Sequence, residues 1–118
     1  MPRRVFKTKH FAATAKKVAI TDAQLCAAIR EVMKGQASDL GGGVWKKRLN
    51  KNLHRSIILA KGRNDWVYQF VFAKKDESNI SDKELVAFKK LAEIYRGLSQ
   101  AQVTKLLSNK EFVEICND

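Results

Sequence analysis

Lysine and arginine carry most of the chemical potential of this 118-residue chain, and they are bunched. Between Val44 and Lys75 stand nine of them: Lys46, Lys47, Arg48, Lys51, Arg55, Lys61, Arg63, Lys74 and Lys75. Asp65 is the lone acid in that stretch. Like charges held together repel, and a folded protein carries such a cluster most readily where it binds an anion. A phosphodiester, with its acceptor oxygens, is the natural match for lysine and arginine donors. A site of this kind can bind RNA, and it can also cut it. Cleavage by the RNA 2′-hydroxyl needs a base for its proton, positive donors for the charge growing on the phosphate, and an acid for the departing 5′-oxygen. A lysine among cations becomes easier to deprotonate and can act as base, whereas arginine stays charged and serves as a clamp. Lys46, Arg48, Arg55, Lys74 and Lys75 are the candidates for these roles. His54, beside Arg55, is a candidate general acid, although a loop histidine is more often only solvated. Lys47, Lys51 and Arg63 complete the block as contacts to the RNA backbone. No metal-ligand set stands in the sequence, which suits a metal-free route, and no cofactor is called for. The plainer reading of the same residues is a solvated basic face or a passive RNA-binding surface.

Three sheet segments must hold these residues. Val44 to Leu49 alternates, with Trp45, Lys47 and Leu49 on one face and Lys46 and Arg48 on the other. Arg55 to Ala60 is a second strand, carrying Arg55, Ile57 and Leu59 on one face. Lys61 to Asp65 has the composition of a hairpin loop, and Trp66 to Ala73 follows as a strand apolar at nearly every position. That last strand reads as central and buried on both faces. An antiparallel meander of the three brings the cations from separate positions towards one surface. Trp45 and Trp66 could stack on bases, but aromatic strand residues more often belong to a core.

Around the meander the pattern is helical. Thr21 to Gln24, Ser81 to Glu84 and Ser99 to Gln102 each have capping-box spacing. The first opens a helix of about 13 residues with Leu25, Ile29, Val32 and Met33 on one side and Gly35 as its stop. The second carries Leu85, Phe88, Leu91 and Tyr95 as far as Gly97, and the third carries Val103, Leu106 and Leu107. Near the start, Val5 to Thr8 reads as a short strand and Phe11 to Val18 as a weak helix. Leu40 to Gly43 breaks the pattern, with the sheet beginning after it.

The whole-chain balance agrees with the local one. There are 23 basic residues against 12 acidic, for a formal charge of +11, and residues 1–20 contain six basic residues and no acid. Such an excess costs self-repulsion and points to a polyanionic partner, nucleic acid or an anionic membrane surface. An acid-free basic start can mimic an organelle transit peptide, but its poverty in serine and its strand-then-helix pattern favour a structural reading. No apolar run reaches the roughly 18 residues needed to span a bilayer, and no signal-peptide core is present. Cys26 reads as packing on a helical apolar face and Cys116 as an inert tail thiol. A zinc site or a disulfide framework is not expected, and cytosolic residence is the default. One α+β domain over 1–118 accounts for the chain.

Residues 40–49 (LGGGVWKKRL), the arginine opening a strand at Arg55, and residues 70–81 (FVFAKKDESNIS) together resemble the RelE-type toxins of bacterial type II toxin-antitoxin systems. The similarity is closest to the branch with a longer C-terminal helical region, here about 81–118, and it extends from Val5 to the last helix. The resemblance implies an α+β RelE/ParE-like fold, with helices packed on a small antiparallel sheet. It also implies ribosome-dependent cleavage of messenger RNA, and an antitoxin partner, with a helix-turn-helix DNA-binding domain, that wraps the toxin. Residue by residue, Arg55 matches the phosphate-clamping arginine, residues 46–48 match the basic segment, and Lys74 or Lys75 matches the basic position after the last strand. The tyrosine many such toxins carry just beyond has no counterpart, since Asn79, Ile80 and Ser81 occupy the region. Lys51 to His54 replaces the Ser-Gly-Gly turn common before the arginine. These departures keep a second reading open: a catalytically weak module acting by protein binding, either as a gyrase-directed toxin or as an antitoxin-bound co-repressor.

Overall fold

A computed structural model describes residues 4–49, 55–73 and 80–116. Its elements run β1 (Arg4–Thr8), α1 (Lys9–Lys17), α2 (Asp22–Met33), β2 (Ser38–Gly41), β3 (Val44–Arg48), β4 (Arg55–Lys61), β5 (Asp65–Ala73), α3 (Asp82–Arg96), α4 (Gln100–Ser108) and β6 (Phe112–Ile115). The six strands form one sheet in the order β2-β3-β4-β5-β1-β6. Only the β1–β5 pair is parallel; the others are antiparallel. Four helices packed on a mostly antiparallel sheet make this an α+β fold of the expected RelE-like kind.

All three expected capping boxes are formed. The side chains of Thr21, Ser81 and Ser99 accept from the backbone amides three residues on, and Gln24, Glu84 and Gln102 reach back to the cap amides. Each box satisfies two helix-end donors that would otherwise lack a partner, so the starts of α2, α3 and α4 are set locally. α1 is capped more simply, by the Thr8 hydroxyl accepting from the Phe11 amide at 3.0 Å.

The sheet separates two cores. Phe11, Ala15, Leu25, Ile29, Val32, Ile57, Leu59, Trp66 and Tyr68 pack together on the α1/α2 side. On the other side, Phe6, Val44, Ile58, Ala60, Val67, Phe72 and Phe112 meet α3 and α4 through Ala92 and Val103. β5 lies between β4 and β1 and is buried over most of its length, as a central strand should be. Its four aromatics do not share one face, however. The β4–β5 register shifts between Ile58 and Leu59, leaving Gln69 as an extra residue. The bulge turns Trp66 and Tyr68 to the α1/α2 core and Phe70 and Phe72 to the α3 core. Trp45 meets Trp66 edge-on, with ring centroids 6.0 Å apart, so both tryptophans are core residues.

Three expectations need correction. The run of antiparallel strands after α2 starts at Ser38 and takes in Gly41, because only Gly42 and Gly43 form the β2–β3 turn, at φ of +61° and +84°. Glycine suits Gly43 twice over: its φ is left-handed, and a side-chain carbon there would press on Ala92 Cβ and the Lys61 carbonyl, each 3.3 Å away, besides displacing the end of Arg96. The C-terminal region is helical only to Ser108, after which β6 returns to pair with β1. Finally, Cys26 and Cys116 are not separate thiols. They form a disulfide across 90 residues of sequence, with Cα atoms 5.5 Å apart, because α2 and the end of β6 converge on the same side of the sheet. No helix among the described residues is long and apolar enough to cross a membrane.

Candidate nucleic-acid site

The register decides which cations meet. Ser38 pairs with Lys46, Lys46 with Ile58, and Arg48 with Ser56. Paired residues share a face, so Lys46, Arg48, Ser38 and Ser56 lie together on the side of the sheet opposite α1 and α2. They line a pocket of ≈ 460 Å³ with Gln36, Ala37 and Lys47. Arg48 is exposed and Lys46 half-buried. Two cations two residues apart on one strand, each with a hydroxyl on the neighbouring strand, form a four-point donor array for an anion. Ser56 owes its burial to its position under this array between β3 and β5.

The expected gathering of all the cations on one surface is not what forms. Lys47 pairs with Ile57 and faces the α1/α2 side. Its ammonium lies 3.2 Å from Glu31 Oε1 and donates to the Gln36 carbonyl at 3.1 Å, fastening β3 to the end of α2. Arg55 alternates with Ile57 and so belongs to that same side, one residue past the Arg48–Ser56 pair, at the strand end where Leu49 N donates to Arg55 O at 2.8 Å. Arg48 and Arg55 thus flank the end of the β3–β4 ladder from opposite faces, and among the described residues neither guanidinium has an ion-pair partner. Arg63 stands in the β4–β5 turn at the far end of β4, about 20 Å away along six strand steps. Lys51, His54, Lys74 and Lys75 lie outside the described residues. Among the described residues no group of three or more His, Cys, Asp or Glu converges as a metal site would require.

Sequence reading did not single out Ser38, Ser56 or the linker residues Gln36 and Ala37. Serines carry no signal of their own until the register sets them opposite the cations. The other end of the sheet is electrostatically closed. Arg4 grips Glu114 through two donors at 2.9 Å, which holds the carboxyl of Glu114 below the usual carboxylate range and raises the guanidinium of Arg4. Lys7 meets Asp22 at 2.7 Å.

A family model described as the RelE toxin of the RelE/RelB toxin-antitoxin system matches residues 3–115. The chain belongs to the RelE toxin family. Comparisons with curated proteins and with solved structures returned no match. As a RelE-family chain it is the toxin half of a toxin-antitoxin pair, and its counterpart is an antitoxin protein. The matched span takes in every element of the sheet, so the Lys46–Arg48 strand and Arg55 lie within the RelE domain itself.

Proposed function

We propose that this RelE-family chain is a metal-independent endoribonuclease of the cytoplasm that cuts messenger RNA on the ribosome and so stops translation. The observation that carries the reading is the pair of arginines at the end of the β3–β4 ladder, neither with an ion-pair partner among the described residues, backed by Lys46, Ser38 and Ser56 around one pocket. A scissile phosphate seated at that strand end is held from one face by Arg48 and Lys46 and from the other by Arg55. As the 2′-oxygen attacks, charge builds on the non-bridging oxygens, and donors fixed in a sheet need little reorganisation to meet it. Lys46, Lys74 and Lys75 are the candidates for moving the protons, with His54 as the acid beside Arg55; Lys51 and Arg63 extend the contact to the RNA backbone, whereas Lys47, expected as a further contact, is held by Glu31 and Gln36 and braces β3 instead.

A site built of lysines and arginines has no strong acid-base pair, so much of the rate must come from positioning of the RNA. The ribosome supplies that positioning by holding the message in place. The antitoxin, carrying a helix-turn-helix DNA-binding domain, silences the toxin by wrapping it and covering the pocket.

Pulse labelling after expression without antitoxin tests the reading: protein synthesis stops first. If DNA synthesis stops while translation continues, the chain is a gyrase-directed toxin instead. In vitro, purified protein cuts ribosome-bound message far faster than naked RNA, and equal cutting of both removes ribosome dependence from the proposal.

A further inference from the structure

α2 is fastened along the sheet at both of its ends. In its first half, Asp22 meets Lys7 at 2.7 Å, the Leu25 carbonyl accepts from the Tyr68 hydroxyl at 2.5 Å, and Cys26 is bonded to Cys116, the residue that follows β6. In its second half, Glu31 holds Lys47 of β3, and Lys47 holds Gln36. Gln36 and Lys47 are themselves part of the pocket lining. Cys26 and Glu31 are only about 7.5 Å apart along the helix axis, five residues at 1.5 Å each. One helix therefore ties the β6 edge of the sheet to the strand that carries Lys46 and Arg48.

Among these ties the Cys26–Cys116 bond is the one a chemical signal can make or break. Both cysteines are partly exposed. β6 is a four-residue edge strand, held to the sheet by β1 alone, and the bond closes a loop spanning most of the chain. Opening it returns a large conformational freedom to the C-terminal strand and removes the covalent anchor of α2.

We propose that the Cys26–Cys116 pair is a redox control on the pocket: the disulfide holds α2 so that Glu31 and Lys47 brace β3, and reduction by a dithiol slackens that brace and lowers RNA cleavage. In the reduction, a thiolate of the dithiol attacks one sulfur, the S–S bond breaks, and a mixed disulfide forms. The second thiol of the reagent then displaces the protein sulfur. The protein gains two electrons and two protons and the reagent departs as a disulfide. Glu31 acts in this scheme as a positioning residue, working through Lys47. The inference rests on the ribonuclease reading for its activity arm and is independent of it for its structural arm.

The test compares the full chain after treatment with oxidised glutathione, the same protein reduced with dithiothreitol, the double variant C26S/C116S, and E31Q. Reduction lowers the melting temperature by about 10 °C, as loss of a long-range disulfide does in a chain of this size. Well below melting, amide exchange in residues 44–48 speeds up on reduction, and cleavage of ribosome-bound message falls several-fold. C26S/C116S matches the reduced protein with or without dithiothreitol. E31Q has the low activity in both redox states while its melting temperature still responds to reduction; a passive staple would leave exchange at 44–48 and cleavage by the wild-type protein unchanged on reduction. Two free thiols after oxidised glutathione overturn the proposal, as do equal exchange and equal activity in the two states despite different melting temperatures. Absence of cleavage in every sample defeats the ribonuclease reading, and exchange at 44–48 still decides the redox coupling.

Discussion

Two basic regions of this chain have opposite electrostatic fates. In the N-terminal strand, Arg4 is matched to Glu114 and Lys7 to Asp22, each across an element boundary, and the pairs pin β1 to β6 and to α2. At the β3–β4 end, Arg48 and Arg55 find no acid among the described residues, although the fold brings them to the end of one ladder. Lys47, between them, sides with the first group. Composition treats all these cations alike, and the difference lies wholly in what the topology sets across from them. A cation with a protein partner holds the fold together, whereas one left facing solvent at a strand end is available to an external phosphate.

The strongest way to break this comparison is to remove one cation from each group. Arg48→Ala and Arg55→Ala should each lower cleavage of ribosome-bound message by on the order of 100-fold, with toxicity largely lost and the melting temperature nearly unchanged. Arg4→Ala should do the reverse: full activity below melting and a modest loss of stability, since its partner is a partly exposed carboxylate. Equal loss of activity in all three would place the function in the general field of the protein and not at the ladder end.

The glycine turn beside the site offers a second comparison, between backbone and side chain. Gly43→Ala forces a residue with a side chain into φ of +84° and against Arg96 and Ala92, so it should destabilise by about 1–3 kcal/mol in thermal or urea unfolding. Gly35→Ala, at φ of +87° but with nothing within 4 Å, carries the strain without the clash and should cost less. A larger loss at Gly35 would mean that α3 yields easily over the β2–β3 turn.

These contrasts also mark what was legible beforehand. The helix starts were, because a capping box is a contract between residues three apart, written in adjacent letters. The β3, β4 and β5 segments were as well, through their alternation. β2 and β6 were not: each is four residues long, and each is a strand only because a partner elsewhere in the chain accepts it. The disulfide was illegible for the same reason, since nothing near Cys26 or Cys116 announces the other. The basic segment at 46–48 was visible as composition, and alternation correctly set Lys46 and Arg48 apart from Lys47. That Arg55 comes to the opposite face from them, and that Ser38 and Ser56 complete the pocket, depended on register across three strands.

Tyr68 gives a smaller effect, confined to the structural side. Its hydroxyl is buried and donates to the Leu25 carbonyl, and burial raises it well above the ordinary phenol range. Because the folded value is raised, the stabilisation is complete below the unfolded value of about 10 and fades as pH climbs above it. Tyr68→Phe should therefore cost about 1 kcal/mol at neutral pH and flatten the alkaline fall in stability, read from melting temperatures between neutral and strongly alkaline buffer. An unchanged alkaline slope would mean that another group governs it.

The smallest expected effect tests the paired region on its own terms. Glu114 is held below the usual carboxylate range by Arg4, so its contribution is present above the unfolded value, near 4.3, and is lost as pH falls through the lower folded one. Both partners retain solvent exposure, 34% for Arg4 and 22% for Glu114, and screening limits the pair to about 1 kcal/mol or less. Glu114→Gln should remove a small acid-dependent step from the stability curve, and added salt should erode the same step in the wild-type protein. Activity should be untouched, because the Cys26–Cys116 bond still fastens the end of β6 to α2 when the Arg4–Glu114 pair is lost. If Glu114→Gln instead lowered cleavage as Arg55→Ala does, the division between cations that hold the fold and cations left for an external phosphate would fail at the Arg4–Glu114 pair.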